Sequence, residues 1–553
     1  MPTDVARMGT FKLGTYESTI HDRLRRWADE DMGRRIWEKD FTVWSKEEVP
    51  EIEDRLGWLE LPERMNSEIG TIRVFAEEIK NQSFKHVVLL GMGGSSLAPD
   101  VFGSTFGSAP DYPELTVLDS THPDSIAAVE SGLDLKATLF VVSSKSGTTI
   151  ETLSLMRHFY ERVSKVCDTP GLHFVAVTDP GSPLEDLART MKFRMVFQAS
   201  PDVGGRYSAL SHYGLVPAAL IGVDIGILIT RARSMAKTCA IAAPEDDNPG
   251  LVLGATLGEL ALAGRDKITF ITSPGLASFP LWLEQLIAES TGKNGKGIVP
   301  VVGEDISIQG ICGEDRYFVY LGIAGEVDSK VLNRLDDLES KGHPVIEFIL
   351  RDPEDVALEM FRWEMAVASA GAVLGIHPFN QPDVEMAKRL ARDIMSGKAK
   401  AGAADGVEVD SGSDLKAALK KTLAKPAAGS YVAIQAFISA GDEKAKKLEA
   451  LRMALRDSTK LAVTTGFGPR YLHSTGQLHK GGPNKGIFIQ VADAPAKDLD
   501  VPEADYTFGK LIAAQAAGDL EALTKKKRRV LSIDLGKDAS KGLEKLEAAV
   551  KKA

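Results

Sequence analysis

Short apolar runs separated by stretches of helical spacing dominate the chain from Lys85 onward. HVVLLG (86–91), LTVLDS (115–120), ATLFVVSS (137–144) and HFVAVTD (173–179) are mostly β-branched or apolar, and each is followed by a candidate helix. Strands without apolar–polar alternation are buried on both faces, and strand–helix alternation at this interval predicts βαβ units on a parallel sheet. A second series runs through KITFITS (267–273), DRYFVYLGI (315–323), PVIEFIL (344–350), YVAIQAFI (431–438), LAVTTG (461–466) and GIFIQVA (486–492). The pattern predicts an α/β chain with two doubly wound parallel-sheet domains and helical extensions at both ends. The expected units are a helical N-terminal segment (1–60, without strand pattern), a first domain (61–245), a second domain (246–493) and a mainly helical C-terminal segment (494–553). The second domain is interrupted near 391–430 by an Ala-, Lys-, Gly- and Asp-rich stretch, expected to be a surface excursion or flexible loop. Between the two series only the layout is shared.

Composition narrows the function classes. At 553 residues, 44% hydrophobic and 26% charged, the chain is that of a globular protein with room for several buried cores. A net charge of −11 gives no electrostatic footprint for nucleic acid. The basic run from Lys525 to Arg529 reads as a solvated helix face. Cys167, Cys239 and Cys312 are far apart, which speaks against a disulfide framework or a cysteine zinc site. The N-terminus lacks an apolar h-region and no window approaches a membrane span, so the expected address is the cytoplasm.

Two glycine- and hydroxyl-rich turns carry candidate chemistry. Gly91-Met-Gly-Gly-Ser-Ser-Leu follows a strand and opens a helix, but Ser96 stands where a dinucleotide fingerprint needs its third glycine. Its glycines would let backbone N–H groups approach a ligand, and Ser95 and Ser96 add hydroxyls; a purely structural turn remains open. In SSKSGTTIET (143–152), hydroxyls at Ser144, Ser146, Thr148, Thr149 and Thr152 crowd around Lys145 at the entry to a helix. Free N–H groups and the positive end of the helix dipole make such a turn an anion site. An N-cap needs one hydroxyl, not five. The expected ligand is a phosphate, outside any nucleotide P-loop, since no GxxxxGK[ST] occurs.

These two segments resemble the SIS (sugar isomerase) domain, whose Ser/Thr-rich loop holds a sugar phosphate. Three further stretches narrow the resemblance to glucose-6-phosphate isomerases. Gly204-Gly-Arg-Tyr-Ser208 is similar to that family's GGRxS signature, Glu289-Ser-Thr-Gly-Lys293 to its ESxGK segment, and FNQPDVEMAK (379–388) to its F-D-Q-x-x-V-E-x-x-K run. The resemblance covers roughly residues 60–490. It is strongest to the isomerase half of bifunctional transaldolase/glucose-6-phosphate isomerases, of which this chain carries that half.

The resemblance implies two SIS domains and reversible isomerisation of glucose 6-phosphate and fructose 6-phosphate through a cis-enediol. The reaction needs one base that takes and returns a proton, and a cation for the developing oxyanion. Glu289 carries over as the base; its apolar helical stretch, LWLEQLIAES, suits a proton-accepting carboxylate. Glu284 is the nearest competitor and lacks the motif. Arg206 carries over as the enediolate stabiliser, permanently charged and unable to remove the proton it should leave on carbon. Gln381 and Lys388 sit seven apart, two turns along one helical face. In the family this lysine acts in ring opening, and the glutamine positions the sugar or a water. Gly93, Gly94 and Ser95 are expected at the sugar. The family's TNGQH segment, expected between Glu289 and Gln381, is absent; His343 and His377 fall there without its flanking motif. His473-Ser-Thr-Gly-Gln-Leu-His479-Lys-Gly-Gly lies later, and the choice between His473 and His479 for ring opening stays open. With no HxH or HExxH, no metal is expected, and no cofactor either. A homodimer with a site completed across its interface is the assembly the family implies.

Two other readings share these features. A dual isomerase that also takes mannose 6-phosphate would use the same enediol chemistry. A non-catalytic SIS sensor would need the hydroxyl loop but has no use for Glu289, Arg206 and Lys388 together. An amidotransferase isomerase domain would need a glutaminase with an N-terminal cysteine, and none precedes Cys167.

Overall fold

The computed structural model describes residues 9–552 apart from 242, 307–312, 396–397 and 399–405, so Cys312 and part of the expected insertion lie outside the described residues. Parallel α/β structure runs through the chain, as the pattern predicts. Strand β1 (Thr10–Lys12) precedes the helices Glu17–Asp29 and Met32–Trp37. Next come β2 (His86–Gly91), β3 (Glu114–Leu118), β4 (Thr138–Ser143), β5 (Phe174–Thr178) and β6 (Met195–Gln198), forming an all-parallel sheet in the order β3-β2-β4-β5-β6. Val87 to Leu90 are fully buried, as expected where helices cover both faces.

The second series of strands divides over two sheets where one was expected. Strands β7 (Lys267–Thr272), β8 (Val299–Val301), β9 (Arg316–Ile323) and β10 (Val345–Leu350) form one, in the order β1-β10-β9-β7-β8. Strands β11 (Val407–Glu408), β12 (Tyr431–Phe437), β13 (Ala462–Phe467), β14 (Gly486–Ala492) and β15 (Arg529–Asp534) form a third, all-parallel sheet in the order β11-β15-β14-β12-β13. A buried parallel strand has the same apolar texture in any sheet; partner choice comes from packing. The two sheets meet through a shared apolar cluster in which Val299 and Val301 pack with Tyr431, Ala433 and Phe488.

Three local expectations need correction. The N-terminal segment does hold a strand: the short β1 pairs antiparallel with β10, too brief to leave a periodic signal. Residues 407–423 are not a loose excursion, because β11 and the helix Ser413–Leu423 belong to the third sheet, with Leu415 and Leu419 in its core. The basic run is not a free solvated face. Arg528 donates to the carbonyls of Lys480 (2.6 Å) and Gly482 (2.7 Å), and Arg529 to that of Ala424 (3.0 Å), so two of its charges cap the ends of helices. Cys167 and Cys239 are free thiols. Among the described residues, no helix is long and apolar enough to cross a membrane.

Candidate active site

The motif turns gather at the carboxyl ends of the parallel strands, where open α/β sheets bind ligands. Beyond β2, Gly93 (φ +57°) brings the backbone against two other turns. A Cβ there would stand 2.9 Å from the Gln285 amide nitrogen and 2.9 Å from the His473 carbonyl, and one on Gly94 would overlap the Gly205 carbonyl. These glycines therefore let the 93–96 turn, the Gly204–Tyr207 turn and the His473 turn close on one another. Ser96 bonds Asp119 (3.2 Å), while Ser95 stays half-buried at the turn.

Beyond β4 the hydroxyl loop enters the helix Ile150–Ser164. Ser144 pairs with Thr149 (3.0 Å) and Ser146 with Thr148 (2.9 Å). Ser146, Thr148 and Thr149 line a cavity of about 410 Å³. Thr152 lies fully buried with its hydroxyl unpartnered, and Lys145 is drawn off to Asp179 and the Pro201 carbonyl. The loop thus offers hydroxyls and N–H groups to an anion, while its lysine serves a neighbouring carboxylate.

Glu289 is carried by the helix Phe279–Thr291, whose residues are all buried but Leu281. Its carboxylate lies 3.5 Å from the Arg206 guanidinium and accepts from the Gln285 amide at 3.1 Å. Arg206 is 3% exposed, so its fork is fixed from all sides. Nε donates to Ser290 (2.8 Å), one Nη to Gln381 (3.0 Å), and the other to the carbonyls of Pro378 (2.7 Å) and Asn380 (2.9 Å). Gln381 stands between this pair and the cavity, which it lines with Lys388. Lys388 is half-exposed and paired with Glu385 (2.8 Å).

The structure separates the two late histidines. His473 lines the cavity, its Nε2 2.9 Å from Oε1 of Glu151. Burial pushes the Glu151 carboxyl up, but the His473 imidazole beside it outweighs that and holds it below the usual carboxylate range. A carboxylate only accepts, so Nε2 is the donor in this bond. His479 lies instead in the third-sheet core, against Phe488 and Tyr471 and bonded to the Gln435 amide (3.1 Å). Burial holds it well below its ordinary value, with Lys480 and Arg528 adding, so it stays neutral and does not line the cavity.

Sequence reasoning missed Glu151 and Gln515. Glu151 sits among the loop hydroxyls, where a carboxylate has no evident use until its histidine partner is known. Gln515, from the helix Phe508–Lys525, donates to Glu151 at 2.7 Å and carries no motif at all. Among the described residues, no group of three or more His, Cys, Asp or Glu side chains is placed to hold a metal ion.

The sequence profile of the family described as phosphoglucose isomerase matches residues 57–307, a span that includes Gly93, Arg206 and Glu289. A probable glucose-6-phosphate isomerase of Methanococcus maripaludis is 28% identical over 385 residues, covering 60% of this chain and 85% of the relative. Over this span the chain is similar to phosphoglucose isomerases. A glucose-6-phosphate isomerase of Citrifermentans bemidjiense is likewise 28% identical, over 61% of this chain and 72% of its own. Among solved structures, a hypothetical protein from Thermus thermophilus superposes with a TM-score of 0.61 at 25% identity, covering 70% of this chain and 100% of that one. A glucose-6-phosphate isomerase from Chlamydia trachomatis shares the fold, with a TM-score of 0.58 at 20% identity over 71% of this chain and 94% of its own. The family match ends before Gln381, Lys388 and His473.

Glu284, the competing carboxylate, points elsewhere and yields a stability prediction. It is buried, accepts from Ser474 (3.3 Å), and shares one guanidinium, Arg470, with Asp100 and Asp119. Burial pushes Glu284 up from 4.5 to about 7, with Arg470 and Ser474 pulling against it. An acid raised on folding lends stability that is complete below its unfolded value and lost as pH rises through the folded one. Glu284→Gln is therefore expected to match wild type near pH 4.5 and to exceed it above pH 7, by at most about 3 kcal/mol. Urea midpoints from pH 4.5 to 8.5 check this; a constant gap would refute it.

Proposed function

We propose that this chain interconverts glucose 6-phosphate and fructose 6-phosphate through a cis-enediol, with Glu289 as base and without a metal ion. The supporting observation is the Glu289–Arg206 pair behind Gln381, next to a cavity walled by the hydroxyl loop. In this reading Ser146, Thr148 and Thr149 hold the phosphate, with Ser144 bracing Thr149. His473, oriented by Glu151, opens the sugar ring together with Lys388. Glu289 then takes the C2 proton and returns it to C1, while Arg206 stays protonated and holds the enediolate oxygen. Relatives named glucose-6-phosphate isomerases support the substrate pair. The family resemblance extends the proposal to a homodimer in the cytoplasm.

The test is a coupled assay converting fructose 6-phosphate to glucose 6-phosphate, run with EDTA present. Turnover insensitive to EDTA is expected. Binding of the sugar phosphate without turnover would replace the enzyme by a sensor, and loss of turnover in EDTA would remove metal independence.

A further inference from the structure

The residues matched by the family profile end at 307, yet much of the cavity wall comes from the α/β unit around the third sheet. That unit is seated on the first by buried polar contacts. His122 bonds Asp493 (2.8 Å), Thr121 donates to the Gln515 carbonyl oxygen (2.9 Å), Ser154 meets Tyr506 (3.0 Å), and Arg470 reaches Asp100 (2.6 Å) and Asp119 (3.2 Å). Leaving such groups unmade in an interior is costly, so the docking is a permanent part of the fold. The same seam delivers His473. Its ring meets Glu151 of the first unit at 2.9 Å, and its carbonyl accepts the Gln285 amide at 2.7 Å, the amide that also bonds Glu289. The hydroxyl loop, the glutamate and the histidine therefore converge from three sheets of one polypeptide. The chain thus places a histidine of its own at the cavity, where the family resemblance implies one lent across an interface.

We propose that the third α/β unit is an in-chain catalytic module, supplying His473 together with its positioning residue Gln515, so that one chain holds a complete site. The proposal rests on the isomerase reading above. Gln515 acts through Glu151: its amide donates to the very oxygen that receives His473 Nε2, while Thr121 fixes the amide's other end.

Complementation between two damaged chains tests the architecture. Glu289→Gln and His473→Ala chains carrying different tags are co-expressed, and the doubly tagged species and both parents are assayed for isomerisation. Every in-chain site then carries one lesion, so mixed preparations are expected to stay at the parents' low rate, whether the protein is a monomer or a dimer. A site shared across an interface would leave one intact site per mixed dimer and restore about half the wild-type rate, overturning the proposal. Wild-type turnover by His473→Ala would overturn it as well. Absence of turnover in the wild type is the separate outcome that removes the isomerase reading, and the module with it. For the positioning role, Gln515→Leu is expected to lower kcat about tenfold with little change in KM. Glu151, short of one donor, gains proton affinity, so the acid limb of the kcat profile moves to higher pH. An unmoved limb would show that Gln515 only packs.

Discussion

Replacing Glu289 by glutamine is expected to lower kcat for fructose 6-phosphate isomerisation by about 10²- to 10⁴-fold while leaving KM within a few-fold of wild type. The amide keeps the shape of the carboxylate and can still reach Arg206 and Gln285, so substrate binding and folding should survive. What it cannot do is accept the proton from C1 of fructose 6-phosphate. The same variant should lose exchange of that C1 hydrogen with deuterated water, a readout independent of product release. Glu284→Gln is the internal control, because Glu284 lies earlier on the same helix and faces Ser474 and Arg470 instead of Arg206. Should Glu289→Gln keep wild-type exchange, the proton carrier must be sought elsewhere, with Glu151 the next carboxylate at the cavity.

Sequence and structure agree most closely where local chemistry decides the outcome. The buried strands announce themselves because a parallel strand covered on both faces needs no polar positions, and Val87 to Leu90 or Val141 to Ser143 could hardly be anything else. The hydroxyl loop, the Gly204–Tyr207 turn and the helix carrying Glu289 are likewise legible as local structure, since each is written in consecutive residues. Relations between distant residues are not. Nothing in YVAIQAF assigns β12 to a third sheet, because the decision rests on Tyr431 and Phe488 packing against Val299 and Val301. The choice between His473 and His479 is of the same kind. Both sit in one short glycine-rich segment, and only the fold turns one toward Glu151 and buries the other against Phe488. Lys145 shows the converse: at the centre of an anion-binding pattern it reads as a phosphate ligand, and only the fold reveals its pairing with Asp179, 34 residues on.

Arg206 separates a bracing role from a chemical one, and Arg206→Lys is the substitution that tells them apart. Lys293, another basic residue whose field reaches Glu289, is buried and donates to the His377 carbonyl (2.6 Å); burial, with Arg206 adding, holds it well below its ordinary value. Arg206 is thus the group certain to be charged when an enediolate forms. A lysine at 206 would keep the charge but not the fork. It could not serve Ser290, Gln381 and the carbonyls of Pro378 and Asn380 at once, and buried carbonyls left without donors cost about 1–3 kcal/mol of stability. Removing one preorganised donor from a developing oxyanion typically costs about 10²- to 10³-fold in kcat, and that is the expected loss here. Stability and turnover must be read on the same preparation, with kcat normalised to the folded fraction and the thermal midpoint measured alongside. A lowered midpoint with unchanged kcat per folded molecule would make Arg206 a brace for the glycine turn and nothing more. A fall in both, with KM close to wild type, assigns it to the transition state, because an interaction equally strong in substrate and transition state would appear in KM instead.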